Sequence, residues 1–285
     1  MKSFRIALAG ALSCIAIWLL VSAPPELPET TSATETQRSL DVENMFNAVN
    51  AINDAARTIY TARIVGPGLK SGLKFSEEWS EPDVEAGPLP ALFLRVVAGR
   101  MESKPPRLGL YLGSDAPINK SNLFSETQTI AFEEVKATRA PVFSVSSTAG
   151  QIAMYPDIAG AGPCVSCHND HKDSPKTDWK LDDVMGATTW TYPRASLHPD
   201  EYLLTTDAFM ASVAEAYGLY LDKVKGFETP PAIGTDWPSP ERGVALPDVP
   251  TFMAAVRAKA AETVMNELIL RDGLPGDDKL AAVLQ

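Results

Sequence analysis

The sequence predicts a mixed α+β domain built on an antiparallel sheet. Segments with apolar residues at helical spacing alternate with short strand-like segments, and two of the latter flank a hairpin turn at residues 148–150. The order is helix, helix, strand, helix and then strands, with a cysteine-bearing loop inserted between the last two. Hydrophobic residues make up 45% of the 285 residues, which is enough for a packed core.

The N-terminus has the pattern of a targeting segment. Lys2 and Arg5 precede an apolar run over residues 6–23, so residues 1–23 are interpreted as a signal peptide or a membrane anchor. Small residues end the run as a cleavage site would, but Pro24 should hinder a peptidase. About 18 apolar residues are barely enough to cross a bilayer. We prefer the anchor, and residues 24–38, rich in Pro, Thr and Glu, are a predicted linker.

Three helices and a set of strands follow this linker. The first helix begins at a Ser39 cap and ends at the GPG of residues 66–68. The other two helices cover residues 91–101 and 123–137. Alternating or β-branched segments predict strands at residues 107–113, 142–147, 151–158 and 184–193.

The segment CVSCH, residues 164–168, carries the chemistry. Cys164 and Cys167 with an adjacent His168 form the attachment pattern of a c-type haem, in which two thioethers hold the porphyrin and the imidazole ligates iron. A zinc site would need four ligands at regular spacing, which His171 and His198 do not complete. A redox CxxC pair belongs at a helix N-terminus and leaves the histidine unexplained. The motif therefore predicts one covalent haem c.

The residues downstream of the motif have supporting roles in this interpretation. His171 is too close to His168 in the chain to reach the opposite face of the iron, so it should hydrogen-bond a propionate or the loop backbone. Lys176, like the lysines at 172 and 180, either pairs with a propionate or is solvated. Trp179 is expected to pack against the porphyrin edge.

Residues 164–186 resemble the haem segment of a known family. The resemblance is to periplasmic c-haem proteins with a PAS-like fold, formerly a domain of unknown function, which include a cyanobacterial c-haem protein and haem sensor domains of membrane kinases and cyclases. The matching residues are Cys164, Cys167, His168, Asn169, His171, Ser174, Pro175, Lys176, Asp178, Trp179, Lys180, Asp183, Val184 and Gly186. Weaker likenesses at residues 59–65, 88–97 and 114–122 extend the resemblance over about 40–195. It implies a PAS-like antiparallel sheet with flanking helices and a c-haem loop.

Two departures from the family pattern concern the site. Asp182 stands where the pattern has Gly, and the first helix lacks the Cys that serves some members as the distal iron ligand. The second face of the iron is therefore left to Met45, Met154, His198 or water, with Met45 the leading named side chain because it lies on the first helix.

The C-terminal region extends the predicted PAS-like haem domain of residues 39–200. Residues 201–285 contain two amphipathic helices, at 205–227 and 251–273, joined by a Pro-rich connector. Their apolar faces either belong to a core, on the haem domain or on each other, or dock a partner or a second protomer. A net charge of −11 argues against nucleic acid as that partner and is compatible with a basic protein.

These features predict a periplasmic haem protein, held at the inner membrane by its N-terminal segment. The resemblance implies a sensor or regulator that responds to redox change or a small gas. A homodimer and a membrane-bound redox or signalling protein are the expected partners. An electron-transfer cytochrome or accessory subunit of a membrane redox complex is the alternative, because no output segment follows. Enzymatic activity is not expected: a peroxidase would want a distal His beside an Arg, and His198 is the sole free candidate.

Overall fold

A computed structural model describes residues 40–235, 237 and 245–272, and the side chains up to residue 263. The described residues belong to one compact unit. The predicted signal or anchor at 1–23, the linker at 24–38 and the Ser39 cap lie outside them. Within the described ranges, no helix combines the length and the apolar character that a membrane crossing requires.

The first helical segment continues past the end that its sequence pattern predicts. Helix α1, Val42–Tyr60, is capped by Asp41, whose carboxylate accepts a 3.0 Å hydrogen bond from the Glu43 N–H. The chain then continues through a π-helical turn, Thr61–Val65, into α2, Gly66–Lys70. The predicted end at GPG is therefore wrong. Proline is tolerated there because it lies in the first turn of α2, where its missing N–H breaks no hydrogen bond.

A four-stranded antiparallel sheet forms the centre of the fold. Its strands are β4 (Gly109–Gly113), β5 (Val142–Ser146), β6 (Gly150–Ile158) and β7 (Val184–Tyr192), in the spatial order β4-β7-β6-β5. The predicted hairpin between β5 and β6 is confirmed, with Gly150 at φ 78° in its turn.

Helices cover both faces of this sheet. Side chains alternate along β6. Ala153 and Tyr155 therefore enter the main core, the large apolar cluster that also contains the buried face of α1, while Met154 packs with Phe132 of α4 (Glu126–Thr138) on the other face. On the main-core side, α7 (Val249–Asp272) packs along α1, and α6 (Pro199–Val224) packs along α3 (Pro90–Glu102). The apolar residues of α6 and α7 therefore belong to the same core as α1.

Short strand pairs tie the connections to this framework. They are β1 (Leu40–Asp41) with β8 (Ser196–Leu197), antiparallel, and β2 (Phe75–Ser76) with β3 (Gly87–Pro88) and β9 (Ala232–Gly234) with β10 (Ala245–Pro247), both parallel. The predicted α+β class with an antiparallel sheet and C-terminal helices is confirmed. The cysteine segment connects the two central strands of the sheet.

Candidate haem site

The cysteine segment is a closed excursion from the sheet. It leaves β6 and returns to β7, and at its base the Ala159 N–H donates to the Asp183 carbonyl at 2.9 Å while the Asp182 N–H donates to the Ala159 carbonyl at 3.1 Å. These bonds continue the pairing of the two strands past a bulge at residues 157–158. The sheet therefore anchors both ends of the segment.

Within this segment the predicted haem loop is partly helical. Helix α5, Gly162–Asp170, carries the whole CVSCH motif and begins with a proline in its first turn. The helical spacings of three and four residues place Cys164, Cys167 and His168 on one side of α5. Both thiols are free, with Cys164 half-buried and Cys167 exposed. Two attachment groups and one ligand are thus presented together.

Electrostatics favour a neutral imidazole at His168 and a protonated thiol at Cys167. Burial, followed by the charge of His171, lowers the pKa of His168 below its usual 6.5, which leaves a nitrogen lone pair available near neutral pH. Burial also raises the pKa of Cys167, with Glu77 the next contributor. A thioredoxin-like pair works through a lowered thiol pKa, so this environment does not favour the redox alternative even though α5 follows a strand.

The zinc alternative also finds no support in the geometry. Across the part of the chain that the structure describes, no group of three or more His, Cys, Asp or Glu side chains is placed to hold a metal ion. Structural zinc needs four ligands.

Trp179 packs beneath the helix that carries the motif. Its side chain is 6% exposed and clusters with Ala159 and Met185, against which Cys164 and Val165 also pack. This position places Trp179 in the same cluster as Cys164, and its expected role at a porphyrin edge stays a prediction. Lys176 lies over the indole, with its Nζ 4.6 Å from the ring centroid, and also contacts the carboxylate of Asp178.

Asn169 is a site residue whose role the sequence did not reveal. Its Nδ2 donates to the Trp179 carbonyl at 3.0 Å, and its Oδ1 accepts from the Trp179 N–H at 2.8 Å. A further bond, from Ser174 Oγ to the Lys176 carbonyl at 2.7 Å, shapes the intervening turn. The family pattern includes Asn169, but the sequence alone does not show which groups its amide binds.

Two buried polar atoms at the site have no hydrogen-bond partner. These are Nδ1 of His168 and Nε1 of Trp179. An unsatisfied buried polar group costs about 1–3 kcal/mol, so such atoms call for a bound group or an ordered water. Two thiols, a neutral imidazole and an unpaired buried donor in one place fit a haem c, which offers vinyl groups, iron and carboxylates.

His171 takes part in local bonding. Its Nδ1 accepts from the Asp173 N–H at 3.2 Å, and its Nε2 lies 3.7 Å from a carboxylate oxygen of Glu77. The first bond agrees with the expected backbone partner. Glu77 had no signal in the sequence, because it is far from the motif along the chain.

The named candidates for the distal ligand all have structural surroundings. Met45 is 0% exposed and belongs to the main core, whereas Cys164 packs in a separate cluster. Met154 packs under α4, and His198 caps α6 by accepting from the Asp200 N–H at 3.3 Å. The structure thus does not bring Met45 together with the cysteine motif.

A cavity of about 730 Å³ adjoins the strand that leads to Glu77. It is lined by Leu69, Leu73, Lys74, Phe75, Ser76, Asp83, Val84, Glu85 and Ala86. Glu77, which follows the lining residue Ser76 in the chain, lies 3.7 Å from His171 at the end of α5.

Asp182 occupies a backbone conformation that explains the glycine of the family pattern. Its φ is 68°, in the left-handed region that glycine adopts without strain and Asp tolerates better than most residues. Its carbonyl accepts a 2.8 Å hydrogen bond from Nη1 of Arg139. Asp182 therefore adopts the turn conformation that the glycine of the family pattern would adopt.

Comparison with known proteins identifies the matched region. A family model described as Tll0287-like matches residues 31–193, more than half of the chain. No curated protein and no solved structure matches the chain. The matched range includes α1, the sheet and the cysteine segment, and it ends before α6 and α7.

Proposed function

The chain belongs to the Tll0287-like family, and from this premise we propose that it is a periplasmic c-type haem protein that acts as a redox or gas sensor. One observation carries the proposal. Helix α5 presents two free thiols and a neutral imidazole on the same side, at the spacing that covalent haem attachment requires.

Each residue of the site has a distinct task in this proposal. Cys164 and Cys167 hold the haem through thioethers, and His168 ligates its iron. Asn169 and Trp179 hold the following turn against α5. When bound, haem c supplies an iron that changes oxidation state or binds a small gas, with properties tuned by its ligands and hydrogen bonds.

A sensor also needs a connection from the haem segment to the rest of the fold. Asp157, two residues before the base of the segment, forms a 2.6 Å ion pair with Arg57 of α1 and accepts a 2.9 Å hydrogen bond from Thr188. Helix α1 in turn packs along α7. We propose that rearrangement at the haem segment reaches the C-terminal helices through this ion pair.

Electron transfer is the second candidate, and one observation favours it. No residue of α5 is buried, so the attachment helix lies at the surface of the described structure. A haem held there would have an edge accessible to a membrane-bound redox partner. The net charge of −11 suits a partner with a basic face.

Haem staining of denaturing gels tests the shared part of both candidates. We expect a stained band for the wild-type chain and none for the Cys164→Ala, Cys167→Ala double variant. Stain that survives in the double variant would overturn the attachment. Spectra of the reduced protein with CO and NO separate the candidates: gas binding supports sensing, whereas an inert six-coordinate iron supports electron transfer.

The expected location rests on Lys2, Arg5 and the apolar run of residues 6–23. We propose that this segment holds the chain at the inner membrane with the haem domain in the periplasm. After a high-salt wash the protein should stay in the membrane fraction, and a soluble product that begins at Pro24 would show cleavage instead.

A further inference from the structure

The indole N–H of Trp179 is an unused hydrogen-bond donor. The side chain is 6% exposed, its backbone N–H and carbonyl are both bonded to Asn169, and its Nε1 alone has no partner. By contrast Trp190, also buried, donates its Nε1–H to Asn50 at 3.1 Å. A buried indole N–H normally finds an acceptor, so Trp179 lacks one that a bound group would supply.

The surroundings of this donor select a negatively charged acceptor. Lys176 places its ammonium 4.6 Å from the centroid of the Trp179 ring, on the same turn of chain. A neutral donor beside a cation suits a carboxylate, since hydrogen bonds to an ionised acceptor are about twice as strong as neutral ones. Haem c carries two such carboxylates, its propionates.

We propose that Trp179 Nε1–H and Lys176 bind one haem propionate and thereby raise the reduction potential of the iron. This inference rests on the proposed attachment of haem to Cys164 and Cys167. Cys164 packs in the same cluster as Trp179, so an attached haem begins next to the donor. Partial neutralisation of the propionate removes negative charge near the iron and favours the ferrous state.

Asp178 already contacts Lys176 through its carboxylate. Its side chain is 79% exposed, so solvent screens this pair and the contact holds Lys176 only weakly. An ammonium has three donors and can serve both carboxylates. The Asp178 contact therefore does not exclude a propionate from Lys176.

Trp179→Phe is the direct test, because it keeps an aromatic ring at the position and removes the indole N–H together with the five-membered ring that carries it. With full haem content, the variant should have a lower reduction potential and a shifted propionate band in the resonance Raman spectrum. Lys176→Met should lower the potential too. Lys180→Met is the matched control: it removes the same charge from an exposed position of the same turn and should have a smaller effect.

An unchanged potential and propionate band in fully loaded Trp179→Phe would overturn the proposal. If that variant does not fold, the wild-type chain gives the answer. Its Trp179 indole proton, observed by ¹⁵N NMR, should exchange with solvent more slowly in the reduced haem-loaded protein than in the Cys164→Ala, Cys167→Ala chain, and equal exchange would overturn the proposal. A wild-type chain without covalent haem would instead refute the proposed function.

Discussion

Asn169 and Trp179 are joined by two hydrogen bonds, one in each direction, across ten residues of chain. The amide of Asn169 thereby acts on the Trp179 backbone as a neighbouring strand would. This closes the turn after α5 through protein atoms alone. The Trp179 side chain is consequently positioned under the helix by its backbone as well as by packing.

Loss of this pair should destabilise the haem segment. We expect Asn169→Ala to lower the free energy of unfolding by about 1–3 kcal/mol, because two hydrogen bonds disappear at about 0.5–1.5 kcal/mol each. Urea denaturation measures it. Ser166→Ala, at an exposed position of the same helix, is the control and should change little. Equal stability of the two variants would show that the pair contributes nothing.

Asp182 offers a test of backbone conformation. Because its φ is 68°, we expect Asp182→Gly to be more stable than Asp182→Ala by about 1 kcal/mol, the cost of a left-handed Cβ-bearing residue. The same two replacements at Lys180, which is outside the left-handed region, should give the opposite order or no difference. Thermal unfolding of the four variants measures these stability differences. Equal stability of Asp182→Ala and Asp182→Gly would contradict the argument.

Much of the fold follows from local patterns, and the exceptions have physical reasons. The sheet strands and most helices show apolar periodicity because each buries one side, as on α4 with Phe132 and Val135. Helix α5 buries no residue, so it has no such periodicity, and its Gly162-Pro163 start resembles a loop. The end of the first helical segment also differs from its prediction, because GPG normally stops a helix whereas here Pro67 lies in the first turn of α2.

The site residues also fall into two groups, those that a local sequence pattern identifies and those that only the tertiary fold brings to the site. Cys164, Cys167 and His168 could be named from the sequence because their spacing is that of a haem-attachment motif. Partners supplied by other elements were not: Glu77 reaches His171, and Arg57 reaches Asp157, through the tertiary fold alone. Met45 shows a second limit of sequence analysis. A methionine that ligates iron and a methionine that packs in the core both lie on the apolar face of a helix, so the sequence pattern does not distinguish them.

The ion pair between Arg57 and Asp157 should be important for stability. Their side chains are 23% and 21% exposed, and Arg57 also pairs with Asp54 at 2.9 Å. We expect Arg57→Met to cost about 3 kcal/mol of unfolding free energy, since it leaves a half-buried carboxylate without its cation. The double variant with Asp157→Leu should cost less than the sum of the single variants, as measured in a double-mutant cycle.

An exposed ion pair provides the comparison for this cycle. Lys225 and Asp222 form a 2.7 Å pair with side chains 61% and 72% exposed. Lys225→Met should cost less than about 1 kcal/mol. Strictly additive effects at Arg57 and Asp157 would mean that the two charges do not stabilise each other.

The cap of α6 predicts a pH-dependent contribution to stability. Arg194 contacts the Glu201 carboxylate, which also accepts a 3.1 Å hydrogen bond from the His198 N–H, and these contacts lower the pKa of Glu201 from 4.5. A lowered folded-state pKa gives stability that is present above pH 4.5 and is lost as the pH falls through the folded-state value.

Glu201→Gln should therefore be less stable than the wild type at pH 7, and the difference should close as the pH falls from 4.5 through the lowered folded-state pKa of Glu201. Thermal unfolding at several pH values measures this. Asp207→Asn, at an exposed position of the same helix, changes the net charge equally without altering the cap. If Glu201→Gln is less stable than the wild type by the same amount in acid as at pH 7, the difference comes from altered side-chain packing and not from the lost charge.

The second face of the iron is tested at Met45. Because Met45 is 0% exposed in the main core, we expect Met45→Leu to keep the haem spectrum and to cost less than about 1.5 kcal/mol, as volume-conserving replacements do. Met45→Ala should cost about 2–5 kcal/mol through the cavity it leaves. His168→Ala is the control that shows how the spectrum responds to a lost ligand. If Met45 ligates the iron instead, Met45→Leu will abolish a methionine–iron charge-transfer band of the oxidised protein and raise its affinity for CO once reduced.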